Sequence, residues 1–217
     1  MNAAIRCAIG VWIALWIPLP ALAAGPVTFG LKAGIAVADV TPRDIGGVAE
    51  LERKLGPGGG AFATWELSDR FSLGGEILYV SKGLSYGETD ATDDTGTNIG
   101  TLETLRVIDY VEIPLLLRAG WPAGGSVRPA LVLGPAIAFK VRERQTTTGV
   151  LTESFKTDGF ASTDVGLATG AEVRFRTGPG WSLIEARYTL GLVNVADDFS
   201  GREAKNRALT VMAGYAF

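Results

Sequence analysis

Eight segments of this chain alternate apolar and polar residues with a period of two, and most charges within a segment fall on one parity. Successive side chains of a β-strand point to opposite faces, so each segment has one apolar and one polar face. In 29–37, Phe29, Leu31, Ala33, Ile35 and Val37 alternate with Gly30, Lys32, Gly34 and Ala36. From Phe71 on, Phe71, Leu73, Ile77 and Tyr79 flank Glu76. From Val107 on, Val111, Ile113, Leu115 and Leu117 oppose Glu112 and Arg118. Leu131, Leu133, Ile137 and Phe139 oppose Arg128 and Lys140, and Leu167, Val173 and Phe175 oppose Asp164, Glu172 and Arg174. Near Trp181 the phase flips, so that Ile184, Ala186, Tyr188 and Leu190 alternate with Glu185, Arg187 and Thr189. The last segment shows Leu209, Val211, Ala213, Tyr215 and Phe217, and a Gly-rich segment near 58–67 is the least regular.

Hydrophobic residues make up 47% of the sequence, yet beyond residue 24 no run of 18 apolar residues could cross a bilayer as a helix. A transmembrane β-barrel buries that much apolar surface with strands of about ten residues, facing lipid and lumen in turn. The connections fit. Ser68-Asp69-Arg70, 122–126 and 177–180 have tight-turn compositions, whereas 38–57, 83–105, 141–162 and 193–206 read as long loops. Short turns on one side and long loops on the other predict an all-β, eight-stranded, antiparallel up-and-down transmembrane β-barrel with both termini on the short-turn, periplasmic side.

Charge decides which face is which. A Lys or Arg facing lipid at the midplane costs about 2–4 kcal/mol. A slip of one residue would put Lys32, Arg118 and Arg174 into lipid, along with Glu76, Glu112 and Glu172. Facing inward, Lys32, Arg118, Arg128, Lys140, Arg174 and Arg187 nearly balance Glu76, Glu112, Asp164, Glu172 and Glu185. Mutually paired charges suit a small barrel whose lumen is filled by side chains. Trp65, Trp121 and Trp181 each lie beside a short turn and read as a periplasmic aromatic girdle. Trp181 has the inward parity of its strand, so this reading requires a bulge or a turn position there. Phe139, Tyr79 and Tyr188 are candidates for the outer girdle.

The first residues read as an export signal. Arg6 is the only charge before Lys32, an apolar stretch runs from Ala8 to Leu19, and small residues around Ala21 to Ala24 give a cleavage after Ala23 or Ala24. The stretch is too short for a spanning helix and is broken by Pro18 and Pro20. The expected organisation is a signal over 1–23 and the barrel over 24–217, sited in the outer membrane. Cys7, the only cysteine, lies within the signal, so the mature chain has no disulfide or thiolate site. Without Arg6 the chain has 19 basic and 23 acidic residues, a balance that argues against nucleic-acid binding.

Particular segments resemble the PorT-like outer-membrane β-barrel domains. They are Gly30-Leu-Lys-Ala-Gly34, the stretch from Phe71 to Gly83, Tyr110-Val-Glu-Ile-Pro-Leu-Leu-Leu-Arg118, Arg128 to Phe139, and Glu185 to Val195. The resemblance spans nearly the whole mature chain in order. It implies an eight-stranded barrel in a Gram-negative outer membrane and brings no reaction with it. It also suggests that Pro114 and Pro135 sit at tolerated bulges, since proline removes a ladder donor. The aromatic end, Tyr215 and Phe217, looks like the signal read by the barrel-insertion machinery.

Catalysis finds little support. The chain has no histidine, the usual general base of membrane-barrel hydrolases. The loop 83–104 carries Glu88, Asp90, Asp93, Asp94 and Glu103 without a basic residue, but 90–96 lacks the EF-hand spacing. Asp197-Asp198 reads as solvated surface. No cofactor, metal or catalytic residue is expected. The leading expectation is a non-enzymatic barrel with a structural or surface-interaction role, in contact with outer-membrane lipid and lipopolysaccharide, its extracellular partner open. A narrow pore, a secretion or assembly accessory, and a soluble periplasmic ligand-binding barrel are the alternatives. The soluble barrel requires apolar residues inside and polar residues outside.

Overall fold

A computed structural model describes residues 26–42, 52–92, 95–121, 125–150, 152–156, 161–195 and 204–217. The expected signal over 1–23, and Asp93, Asp94, Asp197 and Asp198, lie outside the described residues. The elements are β1 (Val27–Pro42), β2 (Glu52–Glu66), β3 (Phe71–Thr92), β4 (Asn98–Gly120), β5 (Val127–Gly149), β6 (Glu153–Lys156), β7 (Thr163–Thr177), β8 (Gly180–Gly191) and β9 (Ala204–Ala216). Eight of them pair antiparallel in a ring, each with its neighbour in the chain, and β1 pairs with β9 to close it. The short β6 stands outside the ring and pairs with Arg144–Thr147 at the far end of β5. Closure gives each ring strand a partner on both sides, which lets a sheet lie in hydrocarbon without an orphaned edge.

The faces sort by parity. Leu31 is 59% exposed and Ile77 62%, whereas Lys32 is 4% exposed and Glu76 2%. On β8 the odd residues Leu183, Glu185 and Arg187 are the buried ones, so the flipped phase there holds. Between the short turns and Phe139, the outward positions of the described strands carry no charge, only residues such as Phe29, Leu73, Ile113, Leu133 and Val211. The first outward charges, Asp109 and its cross-strand neighbour Arg142, appear one step beyond the row Tyr79–Val111–Phe139. Tyr79, Phe139 and Tyr188 are all exposed on the outer wall. This distribution, an uncharged outer belt around a charged interior, is opposite to what a soluble ligand-binding barrel requires.

Two short turns are fixed by local features. Ser68 Oγ accepts from the amides of Arg70 and Phe71, at 3.3 and 3.1 Å, and shapes the β2–β3 turn. At the β7–β8 turn Gly178 has φ 60°, a conformation that favours glycine.

Three expectations are corrected. The segment 83–105 is not mainly loop: β3 runs to Thr92 and β4 begins at Asn98, a long hairpin rising above the belt, and β5 likewise continues to Gly149. Beyond the lipid no face must stay apolar, so these extensions lack the alternation that marks the belt. The Gly-rich second strand begins earlier than expected, at Glu52. Pro114 and Pro135 do not sit at bulges. Pro114 pairs with Ala136 and Pro135 with Leu167 in unshifted register, and the β4–β5 ladder skips only the rungs beside Pro135. The missing proline N–H opens a gap in the ladder instead of adding a residue. The bulge in this hairpin falls at Val141, between the rungs Asp109–Arg142 and Tyr110–Lys140.

Candidate functional site

The lumen is built in tiers. In the middle tier Glu76 from β3 is met from three strands. Lys32 Nζ and Arg118 Nη2 reach its Oε1 at 2.9 and 2.8 Å, and Arg187 Nη2 reaches its Oε2 at 2.7 Å. Lys32 also lies 3.2 Å from Glu185, which pairs with Arg187 two residues along β8. Glu172 accepts from Arg174 Nε at 2.6 Å and lies 3.6 Å from Arg118 Nε, while Arg174 donates to Thr64 Oγ1 at 3.2 Å. A charge removed from water is tolerable only when paired and hydrogen-bonded, and Glu76, with three cations on two oxygens, meets that requirement.

A second tier lies toward the long-loop end. Lys82 pairs with Glu112 at 2.5 Å, and Arg106 Nε and Lys140 Nζ share Glu143 at 2.8 and 2.9 Å. Asn206 Nδ2 donates to Asp164 at 2.9 Å. Lys82 also stands over the Tyr110 ring, 5.1 Å from its centroid. Aliphatic clusters fill the space around the tiers, one of Ala36, Leu78, Val80 and Met212 and another of Leu116, Val132, Ala136 and Ala168. Small inward residues give the long side chains their room. A Cβ placed on Gly74 would lie 1.6 Å from Arg118 Nη1, so the guanidinium rests directly on that glycine.

The interior therefore holds Lys32, Glu76, Glu112, Arg118, Asp164, Glu172, Glu185 and Arg187 as buried groups, with Arg174 and Lys140 half-buried. Arg128 is a correction: it is exposed at the short-turn mouth, 4.3 Å from the centroid of the Trp181 indole. Sequence reasoning missed Lys82, Arg106 and Glu143 as buried partners. Lys82 and Arg106 continue the inward parity of β3 and β4, which would have found them had the strands been extended. Glu143 faces inward only because the bulge at Val141 reverses the phase of β5, and no residue pattern announces that bulge.

The tryptophans divide. Trp65 is half-buried with outward parity, between its cross-strand partners Val27 and Leu73. Trp121 is 58% exposed just past β4. Trp181 does not belong to an outer girdle. It packs against the inward residues Phe62, Leu183 and Ala216, and Arg128 and Arg176 lie over its ring. Parity overrides the indole's interfacial preference because the β8 register with β7 and β9 is unbroken through Trp181. Tyr215 and Phe217 stack edge to face at 5.5 Å. The Tyr215 hydroxyl accepts from the Gly180 amide at 3.0 Å and donates to the Thr177 carbonyl at 3.1 Å, which clasps the β7–β8 turn. The Phe217 amide donates to the Phe29 carbonyl at 2.8 Å, so the terminal residue joins the closing seam.

The chain is similar to several solved outer-membrane proteins. OprG of Pseudomonas aeruginosa is 13% identical, with 89% of this chain and 97% of that one covered and a TM-score of 0.46. Ail of Yersinia pestis is 16% identical, with 88% and 98% covered and a TM-score of 0.40. The outer-membrane protease OmpT of Escherichia coli is 12% identical, with 88% and 96% covered and a TM-score of 0.40. At such identities a likeness concerns the fold and says nothing about chemistry. No curated protein matches the sequence. The model of the outer membrane protein beta-barrel domain matches residues 21–197, most of the chain, and the protein therefore belongs to that family of outer-membrane β-barrels.

Proposed function

We propose that this protein is a non-enzymatic, closed barrel of the outer membrane that acts through its outer surface and loops, not as a conduit. The observation that carries this reading is the cross-section at Glu76. The side chains of Lys32, Glu76, Arg118 and Arg187 are 0–3% exposed there and bind one another across the lumen. An ion crossing that level would have to break several charge-assisted hydrogen bonds at once. The resemblance of 110–118 and its companion segments supports assignment to the PorT-like barrels, exported through a signal cleaved after residue 23 or 24, with the short turns in the periplasm. Outside, the exposed cations Arg142, Arg144 and Lys156 stand just beyond the apolar belt, at a height suited to the phosphates of lipopolysaccharide. An accessory role in secretion or envelope assembly belongs to the same class.

Planar-bilayer recording of the purified mature protein tests the closed reading. A bilayer that stays at baseline after insertion, with insertion verified by protease protection, is the expected result. Reproducible single-channel steps would replace this reading with a narrow pore.

A further inference from the structure

We propose that the short-turn mouth of the barrel is a binding site for a small multivalent anion bearing phosphate or carboxylate oxygens. A cavity of about 880 Å³ opens there, of the size that small-molecule sites occupy. Five guanidiniums line it, those of Arg70, Arg118, Arg128, Arg174 and Arg176. Three carboxylates oppose them, those of Glu66, Asp69 and Glu172, so the cavity keeps an excess of positive charge. Concave, one-signed walls concentrate ions of the opposite sign.

The placement of the guanidiniums matters more than their number. Arg128 and Arg176 lie over the Trp181 ring, at 4.3 and 5.4 Å from its centroid. Stacking occupies the π face of a guanidinium and leaves its in-plane N–H edge available. That edge matches a carboxylate or phosphate with two parallel hydrogen bonds. At the floor of the cavity Arg118 is 2% exposed, and its Nη1 is buried without a hydrogen-bond partner while its Nη2 holds Glu76. With Nη1 packed on Gly74, Arg118 adds its charge to the cavity floor, and the exposed Arg128 and Arg176 offer the donors. Arg118, through Glu76, and Arg174, through Glu172, also belong to the middle tier, whereas Arg70, Arg128 and Arg176 stand outside it.

The test is isothermal titration of the purified, heat-modifiable mature protein in neutral detergent at 0.1 M salt, with inorganic pyrophosphate in one arm and citrate in another. Saturable binding of one anion per barrel is expected in at least one arm, and the tighter arm identifies the oxyanion class. Arg128→Gln/Arg176→Gln should weaken binding about tenfold or more, since a charge-assisted hydrogen bond to an anion is worth at least that factor. Arg207→Gln, exposed on the outer wall of β9 and away from the cavity, should leave it unchanged. If the first double variant loses heat-modifiability, Arg70→Gln replaces it, with weakening again expected. Absence of saturable heat in both arms, or equal weakening by the mouth and outer-wall variants, overturns the site.

Discussion

Glu76→Gln is the substitution that loads the lumen most. The middle tier sets Lys32, Arg118, Arg174 and Arg187 against Glu76, Glu172 and Glu185. Glutamine keeps the volume but leaves four cations facing two carboxylates, and of the four only Arg174 is half-buried, the others being buried. Removing one partner of a buried ion pair costs about 3–5 kcal/mol, because the charge left behind is not rehydrated. Glu76 serves three partners whose side chains are at most 3% exposed, so the upper part of that range applies. A 150–250-residue chain loses about 2–4 °C of midpoint per kcal/mol, so heat-modifiability should be lost about 8–20 °C lower. The assay is the temperature at which the fast-migrating folded band converts to the slow one, paired with urea unfolding from lipid vesicles. Lys32→Met added to Glu76→Gln removes one of the orphaned cations and should recover part of the loss. A single-variant change below about 1 kcal/mol, the size seen for solvated pairs, would refute a sealed tier. Strict additivity of the two substitutions would refute the direct contact.

Other substitutions probe separate parts of the wall and lumen. Gly74→Ala places a methyl where the Arg118 guanidinium rests, so it should displace that side chain and destabilise the barrel by about 1–3 kcal/mol, whereas Gly75→Ala, whose Cβ meets nothing within 4 Å, should be close to neutral in the same gel assay. Ile77→Arg puts a charge on the lipid face of β3 and should cost about 2–4 kcal/mol in vesicle folding; an equal cost in detergent micelles of no fixed thickness would contradict a midplane position. Tyr215→Phe keeps the stacking on Phe217 but removes both bonds to the β7–β8 turn. It should cost about 1–3 kcal/mol and raise amide exchange at Gly180, and unchanged exchange there would count against the clasp.

The facing of the belt was legible because hydrocarbon enforces it. Lys32, Glu76 and Arg118 cannot be turned outward without the cost of a charge in lipid, so period-two parity carries the register residue by residue. Once a strand leaves the membrane that pressure ends, and for this reason 83–105 read as loop although β3 and β4 pair through much of it. The upper tier suffered most. Lys82 and Arg106 lay beyond the strand ends drawn from alternation, and Glu143 turned inward only through the bulge at Val141. At Trp181 two signals conflicted, the inward parity of β8 and an indole's affinity for the interface. The strand register, fixed by twelve consecutive rungs to β7, decided it. The mouth cavity was invisible for a related reason: Arg70, Arg128 and Arg176 come from three separate segments, and only closure of the ring brings them to one end.

The facing of adjacent residues in a bilayer is the most direct test of an apolar belt around a charged lumen. Cys7 is the only cysteine, so single cysteines can be placed in a Cys7→Ser background at Ser72 and Leu73 and at Ala130 and Leu131, and labelled with an environment-sensitive fluorophore after folding into vesicles. Leu73 and Leu131 face outward from β3 and β5, while Ser72 and Ala130 line the mouth cavity, which has room for a label. Lipid-attached nitroxides should quench the labels at 73 and 131 strongly, and aqueous iodide should quench those at 72 and 130. Equal quenching of both members of each pair by the lipid probe, or strong lipid quenching at 72 and 130 alone, would contradict the assigned register and the barrel built on it.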